Sequence, residues 1–326
     1  GEITTFLAPT DNLTINTGGG ADTVNIDGLN FGLSNLFEII DQAPEDDTVA
    51  FVNNPTTLTS GRLNVVASNI DVTQDLMIAG GFNFGAGSGL TTIQGSIETV
   101  GSQDFLDPVV LTGNASLTAT GTSDDIFDPF TSGRTRFQST VDGPFDLSVV
   151  GGTGDADLAT RFEAAVGTTT PLASLGIGVA SRTFARVSGN VTTVGDQSYV
   201  NLIIDGDIEL TSTGAGSFLV SSTIQGFGSG NTLRTTTTGT TTIIGQVGTG
   251  ALAPLDELSI TTGGPFELIP RMDGAPPDIN VRNDLSITVL DTPGDQDDFI
   301  VPDQPRVVTL SSESGRILLD VGDDID

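Results

Sequence analysis

The side chains in this sequence that could do chemistry are almost all carboxylates. Asp and Glu number 42 against 11 basic residues, for a formal charge of −31 over 326 residues. Every basic residue is an arginine; Lys, His, Cys and Trp are absent, and the one tyrosine is Tyr199. Thiol and imidazole chemistry, Schiff bases and His/Cys metal sites are thereby excluded. Carboxylates leave two chemistries open, the binding of a hard cation and acid–base cleavage of glycosidic bonds.

A calcium ion collects six to eight oxygen ligands, so candidate residues are those that bring aspartates together in turns. Asp22, in GADTV at 20–24, matches the second half of the calcium nonapeptide of stacked-coil proteins. Asp155 and Asp157 follow a glycine-rich turn, GGTGDAD at 151–157. Asp291, Asp295, Asp297 and Asp298 cluster around Pro293-Gly294, and Asp124, Asp125 and Asp128 form a further acidic group. None has EF-hand spacing. The metal expectation is a structural Ca2+ at Asp22, Asp155, Asp157, Asp291, Asp295, Asp297 and Asp298. The competing reading is that such acidic runs are solvated loops.

For hydrolysis, Asp205 and Asp207 are expected on one face of one strand, and Arg134, Arg136, Arg182 and Arg186 could neutralise an acidic substrate or form surface ion pairs. Against catalysis, aromatic residues are 6% of the chain, nearly all Phe, and no Trp is present to stack on a sugar. No Lys or His can tune a base. The sequence is expected to be non-catalytic, with no catalytic residues. Its charge also repels nucleic acid and disfavours anionic membrane surfaces. No apolar run is long enough to span a bilayer as a helix, so no membrane insertion is expected.

The elements that must position these residues read as strands. Apolar residues alternate with polar ones in NLTIN (12–16), RLNVV (62–66), DIELT (207–211) and LSITV (285–289), each near Gly, Asn or Asp turn formers. The one stretch with helical potential is 33–40. Self-comparison aligns GSIETVGSQDF (95–105) with GNVTTVGDQSY (189–199) and STVDG (139–143) with STIQG (222–226). Val166-Gly167, Pro171-Leu172 and Leu175 likewise echo Val247-Gly248, Pro254-Leu255 and Leu258. Short strands of this kind bury their apolar faces only when coils stack, which predicts an all-β solenoid of roughly 20–25 residues per coil. At about 4.8 Å per coil such a rod would be roughly 60–80 Å long. The expected organisation is a single elongated solenoid, 1–326, with N-terminal coils 1–94, repeat units 95–188 and 189–270, and C-terminal coils 271–326. Interior positions are expected to be Val, Ile, Leu and Phe, with the threonine run 235–242 on an exposed strand face. Tandem β-sandwiches are the alternative architecture.

The blocks 189–199, 210–214, 139–143 and 166–175 resemble large bacterial surface proteins built of β-strand repeats, and are similar to the filamentous-haemagglutinin class of secreted β-helical proteins. That resemblance implies a right-handed parallel β-helix, export to the cell surface, and an adhesive or scaffolding role; it carries no active-site residues. The resulting expectation is an extracellular structural or adhesive protein, stabilised by calcium and associating with itself end to end or through the terminal segments 1–6 and 307–321. Surface glycans are a second class of partner. The alternative function is a polysaccharide-binding or polysaccharide-degrading β-helix protein.

Overall fold

The computed structural model describes residues 10–41, 46–85, 89–121, 133–151, 160–178, 183–248, 252–269, 278–290, 299–300, 309–312 and 317–320. Among them there is no helix, and 31 strands stack in parallel as a β-solenoid of about 10 turns. The chain forms two compact units, Gly1–Val141 with Val149–Ala159, and Asp142–Ser148 with Thr160–Asp326.

In unit 1 each coil contributes short strands to three parallel ladders. One ladder stacks Thr23–Ile26, Thr48–Phe51 and Asn69–Val72. A second runs from Thr56–Leu58 through Leu76–Ile78 to the end of Leu90–Thr99. The third stacks Asn12–Gly18, the latter part of Asn30–Asp41, the end of Thr56–Val66, Phe82–Phe84, Gln103–Phe105 and Thr135–Phe137. Unit 2 has the same plan. Its most regular ladder is a six-stranded sheet of Val191–Thr193, Asp207–Ser212, Thr232–Thr237, Glu257–Thr262, Leu285–Val289 and Ile317–Asp320. Tandem sandwiches would need antiparallel pairing, which among the described residues appears only as an isolated bridge, Gly226 with Ala253.

Alternation builds the core. In Leu285–Val289 the odd positions are buried and the even ones half-buried, so Leu285, Ile287 and Val289 face inward. Aromatic rings pack coil on coil in unit 1: Phe82 lies 5.0 Å from Phe105, and Phe105 lies 4.9 Å from Phe137. Such contacts add cohesion beyond the apolar area they bury.

Two local expectations change. Residues 33–40 lie within the strand Asn30–Asp41. The four-residue spacing of the buried Leu33 and Phe37 looks helical, but it spans a corner at Ser34-Asn35, where the ladder register shifts. The threonine run is not uniformly exposed: Thr235, Thr237 and Thr241 point inward and are buried, while Thr236 and Thr238 face outward. A β-branched hydroxyl side chain fits either side of the pleat.

The sequence repeat 95–105/189–199 is a corner. Thr99 and Thr193 end a strand facing inward, and each hydroxyl donates to the carbonyl two residues on, Gly101 O and Gly195 O, at 2.6 Å. The Gln that follows is buried and seals carbonyls the corner leaves open. Gln103 Nε2 donates to Thr118 O at 2.9 Å, and Gln197 Nε2 donates to Thr211 O at 2.9 Å. The other repeat is also a turn. Gly167 and Gly248 have φ of +71° and +73°, and a Cβ there would lie 2.1 Å from Thr192 O and 1.9 Å from Asn280 O, carbonyls of the next coil. Only glycine fits.

Candidate binding groove and contact faces

Asp22 sits at a corner of unit 1, where its backbone N–H donates to Asp47 Oδ1 at 2.7 Å. Among the described residues no three acidic side chains come together as a metal cluster. That corner therefore supplies two carboxylates, one already engaged by an N–H, against the six or more oxygens calcium takes. Asp155, Asp157, Asp291, Asp295, Asp297 and Asp298 lie outside the described residues, as do Asp124, Asp125, Asp128 and Arg182.

Asp205 and Asp207 do not share a strand face. Asp205 follows the strand Gln197–Ile204, and Asp207 begins Asp207–Ser212 beyond Gly206, whose φ is +115°. Asp205 is instead held by Arg186, with Nε at 3.1 Å and Nη2 at 2.7 Å, and by the Ser188 hydroxyl at 3.0 Å. The Arg186 guanidinium also lies 3.4 Å over the Phe227 ring. This saturated arrangement ties neighbouring coils together. Arg134 does the same in unit 1, donating to Asp104 at 3.1 Å.

The third ladder of unit 1 carries a polar row on its outward face. Glu38, Asn64, Asn83 and Asp104 stand in register on successive coils, and Arg136 follows. Asn64 Nδ2 donates to Glu38 Oε1 at 2.9 Å, and Asn83 Nδ2 donates to Asn64 Oδ1 at 3.0 Å. The row lines a groove of about 310 Å³ that also includes Leu36, Arg62 and Phe82. Three ladder steps of about 4.8 Å place Glu38 and Asp104 roughly 14 Å apart. Paired carboxylates of glycosidases stand about 5–9.5 Å apart, so these two do not form such a pair.

Sequence reasoning missed this row. Glu38, Asn64 and Asn83 are each the polar centre of an apolar–polar–apolar triplet, as in Leu63-Asn64-Val65 and Phe82-Asn83-Phe84, whereas Asp104 lies between Gln103 and Phe105. The unequal steps between coils, 26, 19 and 21 residues, hide the alignment.

The ladders leading into the Thr-x-Gly corners carry a different surface. In unit 2, Thr192, Thr211, Thr236, Thr261 and Thr288 form one in-register outward column. Beside it, just before the corner, come Val194, Thr213, Thr238, Gly263 and Leu290. In unit 1 the corresponding columns are Thr57, Met77, Glu98 and Thr118, then Thr59, Ala79, Val100 and Thr120. Met77, Val194 and Leu290 are 51%, 50% and 51% exposed. With Val100 they make four of the six large apolar side chains that the described residues leave exposed. In these columns the charged residues are Glu98 and, in register with Thr288 on the last strand, Asp320.

No family model matches the chain, and no curated protein or solved structure shows significant similarity to it.

Proposed function

We propose that this chain is a non-catalytic structural and adhesive component of the cell exterior, whose copies associate side by side through the threonine–aliphatic columns. The texture it shares with the filamentous-haemagglutinin class supports export and adhesion. The observation that carries the reading is the concentration of exposed Met77, Val100, Val194 and Leu290 in nearly uncharged columns of a chain with net charge −31. Exposed apolar side chains favour contact with another apolar surface, and each unit carries two of them in its own columns. A flat sheet face with a constant repeat meets a copy of itself in register, as packed sheets do.

The area explains why such contacts work in numbers. Five strands at about 4.8 Å, two columns wide at about 6.6 Å each, cover roughly 300 Å². Stable pairs bury about 800 Å² on each partner. One contact is therefore weak, and many along an assembly add through avidity.

Sedimentation velocity with negative-stain imaging tests this. Association is expected to rise from 0.05 to 1 M NaCl, because the Debye length falls toward about 3 Å and repulsion between the acidic copies is screened. Val194→Glu with Leu290→Glu is expected to abolish it. A chain that stays monomeric at all salt concentrations, or a double variant that assembles as the parent does, refutes the proposal.

A further inference from the structure

We infer that the groove over Glu38, Asn64, Asn83 and Asp104 binds an uncharged polyhydroxyl chain, a neutral oligosaccharide laid along the ladder. This site is on a different ladder from the self-association columns and stands independently of them.

The row's internal bonding fixes what it offers. Asn64 and Asn83 each spend one N–H within the row, on Glu38 Oε1 and Asn64 Oδ1. Each amide has a second N–H, and Asn83 Oδ1 and Glu38 Oε2 add acceptors, while the Asp104 carboxylate at the end of the row is held by Arg134. The result is a line of donors and acceptors, one side chain per coil, held half-buried beside Leu36.

Ligand classes separate on this pattern. A cation would be opposed by the amide N–H groups between the carboxylates, and no three-carboxylate cluster exists among the described residues. An anionic chain is the competing class, because Arg62 lines the groove and Arg134 neutralises Asp104; Glu38, bonded through Oε1 to an uncharged amide, opposes it. A peptide strand joins a free sheet edge, but the Leu63–Val65 segment is already paired on both sides, with Phe37–Ile39 and with Phe82–Phe84. A hydroxyl group is donor and acceptor at once, so a polyol answers every member of the row. The groove, about 310 Å³, is at the small end of ligand sites and takes one or two sugar rings. With no exposed aromatic platform to stack on, affinity at one groove is expected to be weak, on the order of millimolar.

The test is saturation-transfer difference NMR on the full chain, at a concentration where it is monomeric. The probes are cellohexaose, xylohexaose, chitohexaose and maltohexaose, with hexagalacturonate as the anionic arm. At least one neutral hexamer is expected to bind, and Asn83→Leu is expected to weaken it at least tenfold without changing the thermal melt. If Asn83→Leu fails to fold, Asn83→Gln, which keeps the amide but displaces it by one methylene, is expected to weaken binding at least threefold. No binding by any neutral hexamer at 10 mM, binding by hexagalacturonate alone, or full binding by the folded Asn83 variant overturns the inference.

Discussion

Raising the pH above 10 is expected to destabilise unit 2 through one side chain. Tyr199 is 1% exposed, and burial holds its phenol well above its ordinary range. Its hydroxyl donates to Gln197 Oε1 at 3.0 Å, inside the corner that Gln197 seals. The folded pKa is raised, so the native state keeps a proton that the unfolded state releases near pH 10. The stabilisation is complete below that point and is lost as the pH climbs toward the folded value. Each pH unit beyond 10 removes about 1.4 kcal/mol, or roughly 2–3 kcal/mol by pH 12. The chain makes this measurement clean. With no Lys, His or Cys, Tyr199 is the one side chain expected to titrate between about pH 8 and 12, since arginine keeps its proton there. Denaturant melts followed by circular dichroism give stability at each pH, and tyrosinate absorbance gives ionisation. Absorbance is expected to appear only together with loss of structure, and Tyr199→Phe is expected to flatten the pH dependence. A smooth tyrosinate titration centred near pH 10 with structure intact would refute the reasoning. The Phe variant should itself cost about 1–3 kcal/mol at pH 7, because Gln197 Oε1 is left buried without its donor.

Two further outcomes follow from the backbone and from one carboxylate. Gly248→Ala places a Cβ 1.9 Å from Asn280 O at a φ of +73°, so the coils must part; a loss of at least about 2 kcal/mol is expected by denaturant melt, against near-neutral behaviour for Gly19→Ala, which meets nothing within 4 Å. Desolvation raises the pKa of Asp278, whose Oδ1 is buried without a partner. Its contribution is therefore present below the ordinary carboxylate range and fades as pH rises through the folded value; Asp278→Asn is expected to raise Tm by about 1–3 °C at pH 7 and by less at pH 3.

What the sequence made legible was corner chemistry. The two aligned TVGxQ blocks work alike because Thr, Gly and Gln each have a fixed duty at a turn, and the Val-Gly pairs recur because a neighbouring carbonyl forbids any Cβ. The blocks differ in one instructive place. Gln103 Oε1 accepts from Thr135 on the next coil, at 3.4 Å, whereas Gln197 stands opposite Phe218 and accepts from Tyr199. The Phe105/Tyr199 difference between the copies thus reflects where the donor comes from. Alternation also showed the strand faces, but it could not say which side of the pleat Thr235 would take, since threonine suits both. The groove was illegible for another reason. Glu38, Asn64, Asn83 and Asp104 become neighbours only after coils of different length are stacked, and local spacing does not contain that register. Asp205 and Asp207 looked like neighbours in sequence, yet the positive φ of Gly206 lies between them.

The unequal coil lengths have a consequence for how such a chain can change. Successive coils are offset by as few as 17 residues, Phe184 to Asn201, and by as many as 33, Phe266 to Phe299, without loss of ladder pairing. Hydrogen bonds are made strand to strand with the adjacent layer, so extra residues at a bend burden no distant part of the molecule. The bends are accordingly natural places to graft a foreign loop or epitope, and a scaffold of this type could display several at once, each layer accommodating its own insertion.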